Sequence, residues 1–143
     1  MTGYTAVDVL RERVERYLRE TTLQWSVDDT GDFMIPYRSV ITWIRPMPWT
    51  EERTLVRVWS ITNVDMRADA ELTRFLVTTN AKLAFGGFHL DENRPSVIMA
   101  NALLGEYLNR AELQVAVAAV TGTADKFAPE IKQRFGGKLF IET

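Results

Sequence analysis

The residues with chemical potential are few, and each falls short of a working site. Asp28-Asp29-Thr30-Gly31-Asp32 sets three carboxylates within five residues. It lacks the rest of a calcium loop, above all the closing bidentate glutamate, so it reads as a hairpin turn with Gly31 at the left-handed position. His89 is the only histidine and cysteine is absent. His89 therefore has no second ligand to share a metal, and it reads as a structural histidine inside Phe88-His89-Leu90. Asp91-Glu92 are neighbours on a turn and point apart, which rules against an acid–base pair. In Phe85-Gly86-Gly87-Phe88 the glycines follow a helix and precede a strand, the reverse of a phosphate-binding loop. Ser26, Ser39, Ser60 and Ser96 fall on strands or a turn, none in a nucleophile elbow. No acid–base, nucleophile or metal constellation is left, so the expectation is no enzyme, no cofactor and no metal.

Contact chemistry is better represented. Trp43 and Trp59 sit in apolar strands and read mainly as packing residues. Trp49 differs: in Pro46-Met47-Pro48-Trp49-Thr50 it lies among polar and charged neighbours, where an exposed Met-Trp pair makes a contact surface. Trp43, Met47, Trp49 and Trp59 are the candidate protein-binding residues.

The elements that must carry these residues can be read in order. Val7, Leu10, Val14, Tyr17 and Leu18 give residues 5–20 one apolar helical face, capped by Thr5 with Asp8 three residues on. Thr22 to Asp28 alternates as a strand with Leu23, Trp25 and Val27 on a buried face. Asp32 to Ile35 returns after the turn, and Pro36-Tyr37-Arg38-Ser39 breaks or bulges it. Val40 to Ile44 follows and ends at Pro46-Met47-Pro48-Trp49. Thr54 to Val64 is the longest strand. Asp69 caps a central helix carrying Leu72, Phe75, Leu76, Thr79 and Leu83, which Gly86-Gly87 ends. Phe85 to Asp91 and Pro95 to Leu104 form a hairpin about Asp91-Glu92-Asn93-Arg94-Pro95. Asn109 and Glu112 open a last helix with Leu113, Ala116, Val117, Val120, Ala124, Phe127, Ile131 and Phe135 in phase. This favours one helix bent near Pro129, with a break near Thr123 as the alternative. Gly136-Gly137 stops it, and Lys138 to Thr143 reads as a short tail. The fold class is α+β: an antiparallel sheet of five or six strands with three helices, in the order α-β-β-β(-β)-α-β-β-α.

The strands are apolar on both faces. Leu55, Trp59 and Ile61 oppose Val56, Val58 and Val64; Ile41 and Trp43 oppose Val40 and Ile44. Val97, Met99 and Leu103 oppose Ile98, Ala100, Ala102 and Leu104. A sheet with one wet face should alternate cleanly. Three helices cover one face and part of the other, so apolar surface remains for dimerisation or for a peptide. The alternative is that twisted strands and helices wrapped on both faces hide all of it.

At 143 residues the chain is one domain, 1–143, able to bury roughly 70% of its unfolded surface. Seventeen basic and nineteen acidic residues give a net charge of −2 with no basic stripe, so nucleic acid is not the expected partner. No apolar run approaches the roughly 20 residues of a membrane span. Met1-Thr2-Gly3-Tyr4-Thr5 has neither basic start nor apolar core, so it is not expected to be a signal peptide. With no cysteine, a cytoplasmic location is expected.

Three stretches resemble a known family. They are Val27-Asp28-Asp29-Thr30-Gly31-Asp32-Phe33; Leu76 to Asn80 with Phe85 to Leu90; and Thr123-Ala124-Asp125 with Arg134-Phe135-Gly136-Gly137. With the order of elements they resemble the type III secretion chaperone-like fold, and in wording its YbjN-type branch, described as sensory transduction regulators. The resemblance implies a small, acidic, cytoplasmic, non-enzymatic homodimer holding an unfolded segment of a client protein. It gives no role to Thr79-Asn80, where related chains often show a second asparagine. A rival reading is a regulatory module that binds a small ligand between helix and sheet; it requires one enclosed cavity with convergent polar groups.

Overall fold

The structure, a computed structural model, describes residues 3–143. Met1 and Thr2, the start of the segment expected not to be a signal peptide, lie outside the described residues. Three helices, α1 (Ala6–Arg19), α2 (Ala70–Asn80) and α3 (Arg110–Phe135), accompany one antiparallel sheet. Its strands are β1 (Ser26–Val27), β2 (Phe33–Tyr37), β3 (Val40–Pro48), β4 (Thr54–Val64), β5 (Gly87–Asp91), β6 (Ser96–Leu104) and β7 (Lys138–Leu139). The spatial order is β1-β2-β3-β4-β6-β5, with β7 paired to the end of β4. The α+β class and the element order are as expected from the sequence.

All three α-helices contribute to one core on one face of the sheet. Val56 and Val58 of β4, Ile44 of β3 and Val97 and Met99 of β6 are fully buried there with Leu10, Val14, Leu113, Val120 and Ile131. Along β4 burial alternates: Thr54, Val56, Val58, Ser60 and Thr62 are buried, whereas Leu55, Trp59 and Ile61 are only partly so and Arg57 is exposed. This is the period-2 signature of a sheet with one dry face.

Polar side chains fix α3 on that face. The hydroxyls of Thr42 and Thr121 share a buried hydrogen bond of 2.7 Å. The Asn63 amide donates to the Ala128 carbonyl at 3.0 Å. Ser39 donates to Asp125 Oδ1 from its backbone N–H at 3.1 Å and from its hydroxyl at 2.6 Å. These bonds fix the helix in one register, which apolar packing alone does loosely.

Four local expectations need correction. The strand expected over Thr22 to Asp28 is reduced to Ser26–Val27, and Leu23 and Val27 are exposed. Thr21 takes up the first of those residues: its hydroxyl donates to the Leu18 carbonyl and accepts the Leu23 N–H, a helix-exit turn. β3 does not end at its prolines but runs through Pro48. The last β2 pair is Phe33↔Ile44, so Pro46 and Pro48 lie where β3 has no neighbour on that side and no donor is missed. α2 stops at Asn80, well before Gly86-Gly87, and Leu83 lies in the following turn. The Asn80 side chain turns to β5 instead, accepting the Phe88 N–H at 2.6 Å and donating to the Phe88 carbonyl at 2.8 Å. Finally, Lys138 to Thr143 is no loose tail. It forms β7 and a 3-10 turn, Phe140–Glu142.

The last helix is continuous from Arg110 to Phe135 with Pro129 inside it. The thread of buried residues from Leu113 through Ala124 to Ile131 outweighs the local cost of the proline. Gly136 and Gly137 end it, both in the left-handed region at φ of 81° and 77°. A Cβ on Gly137 would meet Met66 Sδ at 2.5 Å and the Val64 carbonyl at 2.7 Å, so the chain can pass that close only as glycine.

Candidate functional site

The face of the sheet turned away from the helices is where the candidate residues gather. Strand alternation brings Trp43, Arg45 and Met47 of β3 beside Leu55, Arg57 and Trp59 of β4, with the pairs Trp43↔Trp59, Arg45↔Arg57 and Met47↔Leu55. Ile98, Ala100 and Ala102 of β6 and His89 of β5 continue the same face. Trp43 and Trp59 stack with centroids 6.0 Å apart. The Arg45 and Arg57 guanidinium carbons lie 5.0 and 5.9 Å from the Trp59 ring centroid, in cation–π range. The Trp59 ring is thus held flat and rigid, with cationic flanks.

Arg45 is fixed by a bidentate pair to Asp32, with bonds of 2.7 and 2.6 Å. That pair raises the Arg45 pKa above its ordinary value. Asp32 belongs to the turn whose carboxylates suggested calcium. There Asp28 Oδ1 instead accepts the backbone N–H groups of Thr30 and Asp32 and the Thr30 hydroxyl. Asp28 is held below the ordinary carboxylate range, chiefly by the Thr30 hydroxyl. Asp28 Oδ1 and both Asp32 oxygens are spent on the turn and on Arg45, a structural role. Among the described residues no cluster of three or more His, Cys, Asp or Glu is placed to hold a metal ion. His89 is exposed at the strand, yet loss of water around its ring and the nearby Arg57 charge both lower its pKa, Asp91 opposing them. Asp91 accepts the Asn93 N–H in a turn.

The structure brings Trp43, Met47 and Trp59 together and leaves Trp49 apart. Trp49 is 59% exposed in the β3–β4 hairpin, its N–H bonded to the Arg53 carbonyl beyond the end of β3. Trp43 is only 8% exposed although it lies on the face the helices leave bare. Its cover is Phe140, which meets it edge-on at 5.2 Å. Two kinds of residue escaped the sequence reading. Arg45 and Arg57 share the strand parity of the tryptophans, a signal that could have placed them on the same face. Phe140 stands in Leu139-Phe140-Ile141, an apolar run after two glycines that could have marked an anchored segment.

Open hollows flank this face. One of about 460 Å³ is lined by Met47, Leu55, Arg57, His89, Ala100 and Ala102, among others. Another of about 510 Å³ lies at the opposite end, over Ile61, Ile98, Pro95 and Phe140. A separate apolar hollow of about 520 Å³ runs between α3 and the end of β6, with Phe85, Leu104, Tyr107 and Val115 exposed around it. β6 continues from Asn101 to Leu104 beyond its last β5 pair, Gly87↔Ala100, so it has no strand neighbour there, with the Ala102 N–H donating to Asn101 Oδ1 at 2.9 Å. Among the described residues no helix is long and apolar enough to cross a membrane.

Comparison with known proteins agrees with this architecture. Solved structures that share the fold include the following three. The structure of the HopA1-SchA chaperone-effector complex matches with a TM-score of 0.60 and 15% identity, over 83% of this chain and 92% of that one. That of the ExsC-ExsE complex matches at 0.56 and 18% identity, over 85% and 91%. YbjN from E. coli matches at 0.59 and 14% identity, over 91% and 96%. No curated protein matches the chain significantly. The family described as "TY-Chap1: T3SS (YopN, CesT) and YbjN peptide-binding chaperone 1" matches residues 8–143, nearly the whole chain, and the protein belongs to that family.

Proposed function

We propose that this protein is a non-enzymatic, cytoplasmic chaperone-like module, a homodimer that holds an apolar segment of a client protein against the bare face of its sheet. The observation that carries the reading is the half-exposed apolar surface formed by Met47, Leu55, Trp59, Ile61 and Ile98, which no α-helix covers. Family membership supports a peptide as the occupant. Trp59 is the central contact, rigid and flanked by two guanidinium groups; Trp43 and Met47 extend it, and Trp49 reaches a client only past the end of β3. Large aromatic side chains held in place lose little entropy on binding, which suits them to anchor roles. An extended client would add backbone hydrogen bonds only at an unpaired edge, and β6 offers one from Asn101 to Leu104. The exposed Phe85, Leu104, Tyr107 and Val115 beside that edge suit it better to a second copy of the chain, leaving the bare face to the client.

Peptides selected from a display library on the full chain test the client site. Binding measured by fluorescence anisotropy should weaken at least tenfold in Trp59→Ala, a loss of about 1.4 kcal/mol. Unchanged binding would place the site elsewhere. Light scattering should give twice the chain mass, falling to a single chain in Val115→Asp. A monomeric wild type would remove the dimer from the reading. The rival small-ligand reading draws no support from the hollow of about 250 Å³ between α3 and β2, which is open and walled mainly by Leu23, Ile35, Tyr37 and Val117.

A further inference from the structure

The bare face carries one built-in occupant, the end of the chain itself. Gly136 and Gly137 reverse the backbone after α3, and Lys138–Leu139 pairs with Val64 and Asn63 at the end of β4. Leu139 packs against the core, so the segment is anchored up to that residue. Beyond it the attachments change in kind. Phe140 covers Trp43 edge-on. Ile141 is exposed. Glu142 holds the turn down, accepting Lys132 Nζ at 2.8 and 2.9 Å and the Leu139 N–H at 2.8 Å. Both partners of that ion pair are substantially exposed. One ring contact, limited packing of the turn on β3 and β4 and an exposed ion pair make a weak hold, of the sort that opens locally while the rest of a fold stays closed.

We propose that Phe140–Thr143 is a latch, hinged at Leu139 and caught by Glu142 on Lys132, that covers Trp43 in the free protein. A client segment bearing an aromatic or large aliphatic side chain displaces it and takes the Phe140 position. This rests on the bare face being the peptide-binding face. The chemistry required of the occupant is read from the latch: an extended backbone leading to one large apolar side chain, set edge-on to an indole. Displacement joins the hollow over Ile61 and Ile98 to the Trp43–Trp59 stack, giving one continuous track with an apolar floor and charged residues, Asp65, Asp91 and Arg94, along its far wall. The apparent affinity of the face is then reduced by the fraction of molecules in which the latch is closed.

The test uses the full chain in a Trp49→Phe background, which removes the most exposed indole. The probe is a synthetic peptide of the sequence Lys138–Thr143, with a control in which its phenylalanine is alanine. Acrylamide quenching of tryptophan emission should rise in Phe140→Ala and also in Glu142→Gln, which leaves Phe140 in place. The peptide should bind both variants more tightly than the parent, and the control peptide should bind neither. If quenching rises in Phe140→Ala but not in Glu142→Gln, the ring is fixed packing and the latch is overturned. Equal peptide binding by parent and variants, lost in Trp59→Ala, overturns the latch while sparing the binding face. Binding by no variant at all overturns both.

Discussion

The two faces of β3, β4 and β6 are built from the same strands and are nearly equally apolar, yet they have different fates. The helix side holds Ile44, Val58, Val97 and Met99 at complete burial. The other side holds Met47, Leu55, Trp59 and Ile98 only partly covered. Hydrophobicity therefore does not distinguish the covered face from the bare one here. The difference lies in what covers each: α1, α2 and α3 on one side, one turn of 3-10 helix on the other. Arginine marks the second side. One arginine among the outward residues of each of β3 and β4, Arg45 and Arg57, adds charge to an apolar face without covering it.

Substitutions of equal chemistry on the two faces should break this symmetry. Ile44→Ala removes a fully buried side chain and should lower the free energy of unfolding by about 3 kcal/mol in a urea titration. Leu55→Ala on the bare face should cost about 1 kcal/mol or less; equal losses would mean that the bare face is a second core. Next in size, Asn80→Ala leaves both backbone groups of Phe88 without their partner and should cost about 2 kcal/mol, with faster amide exchange confined to β5. Thr42→Val should cost about 1–2 kcal/mol because it strands the Thr121 hydroxyl in the core. The double variant Thr42→Val with Thr121→Val should recover most of that loss, since two methyls then replace two hydroxyls. The smallest effect is one of pH. The folded state lowers the His89 pKa, so the unfolded chain binds the proton more readily. Stability from this group is full above about pH 6.5 and falls as the pH drops through that value. His89→Gln should flatten that slope in thermal melts taken between neutral and mildly acid pH.

How much could be read from the chain follows the same division. Elements whose signal is local were legible: the Thr5–Asp8 capping box, the Asp28–Gly31 turn, the extent of β4, and the continuity of α3 through Pro129. The surplus of apolar strand faces was legible as well, because side-chain period alone reveals it. What was not legible depends on long-range partners. The C-terminal end of α2 is set by Asn80 reaching β5, and the reach of β3 by the absence of a β2 neighbour past Ile44. The tail is set by Phe140 meeting Trp43, nearly a hundred residues earlier. For the candidate residues, alternation set Trp43 with Ile41 and Trp59 with Leu55 and Ile61, but Met47 was read beside Trp49 past the strand end, because the register that carries β3 through Pro48 is set by β4.

The two prolines of β3 carry a further consequence. An exposed sheet margin invites any extended chain to zip alongside it, and a stretch with alternate amides missing offers such a visitor nothing to accept. Along Pro46 to Pro48 the outer margin of β3 presents no backbone donors, so the sheet is sealed against growth there. At the opposite side of the sheet the far end of β6 has no such seal of prolines.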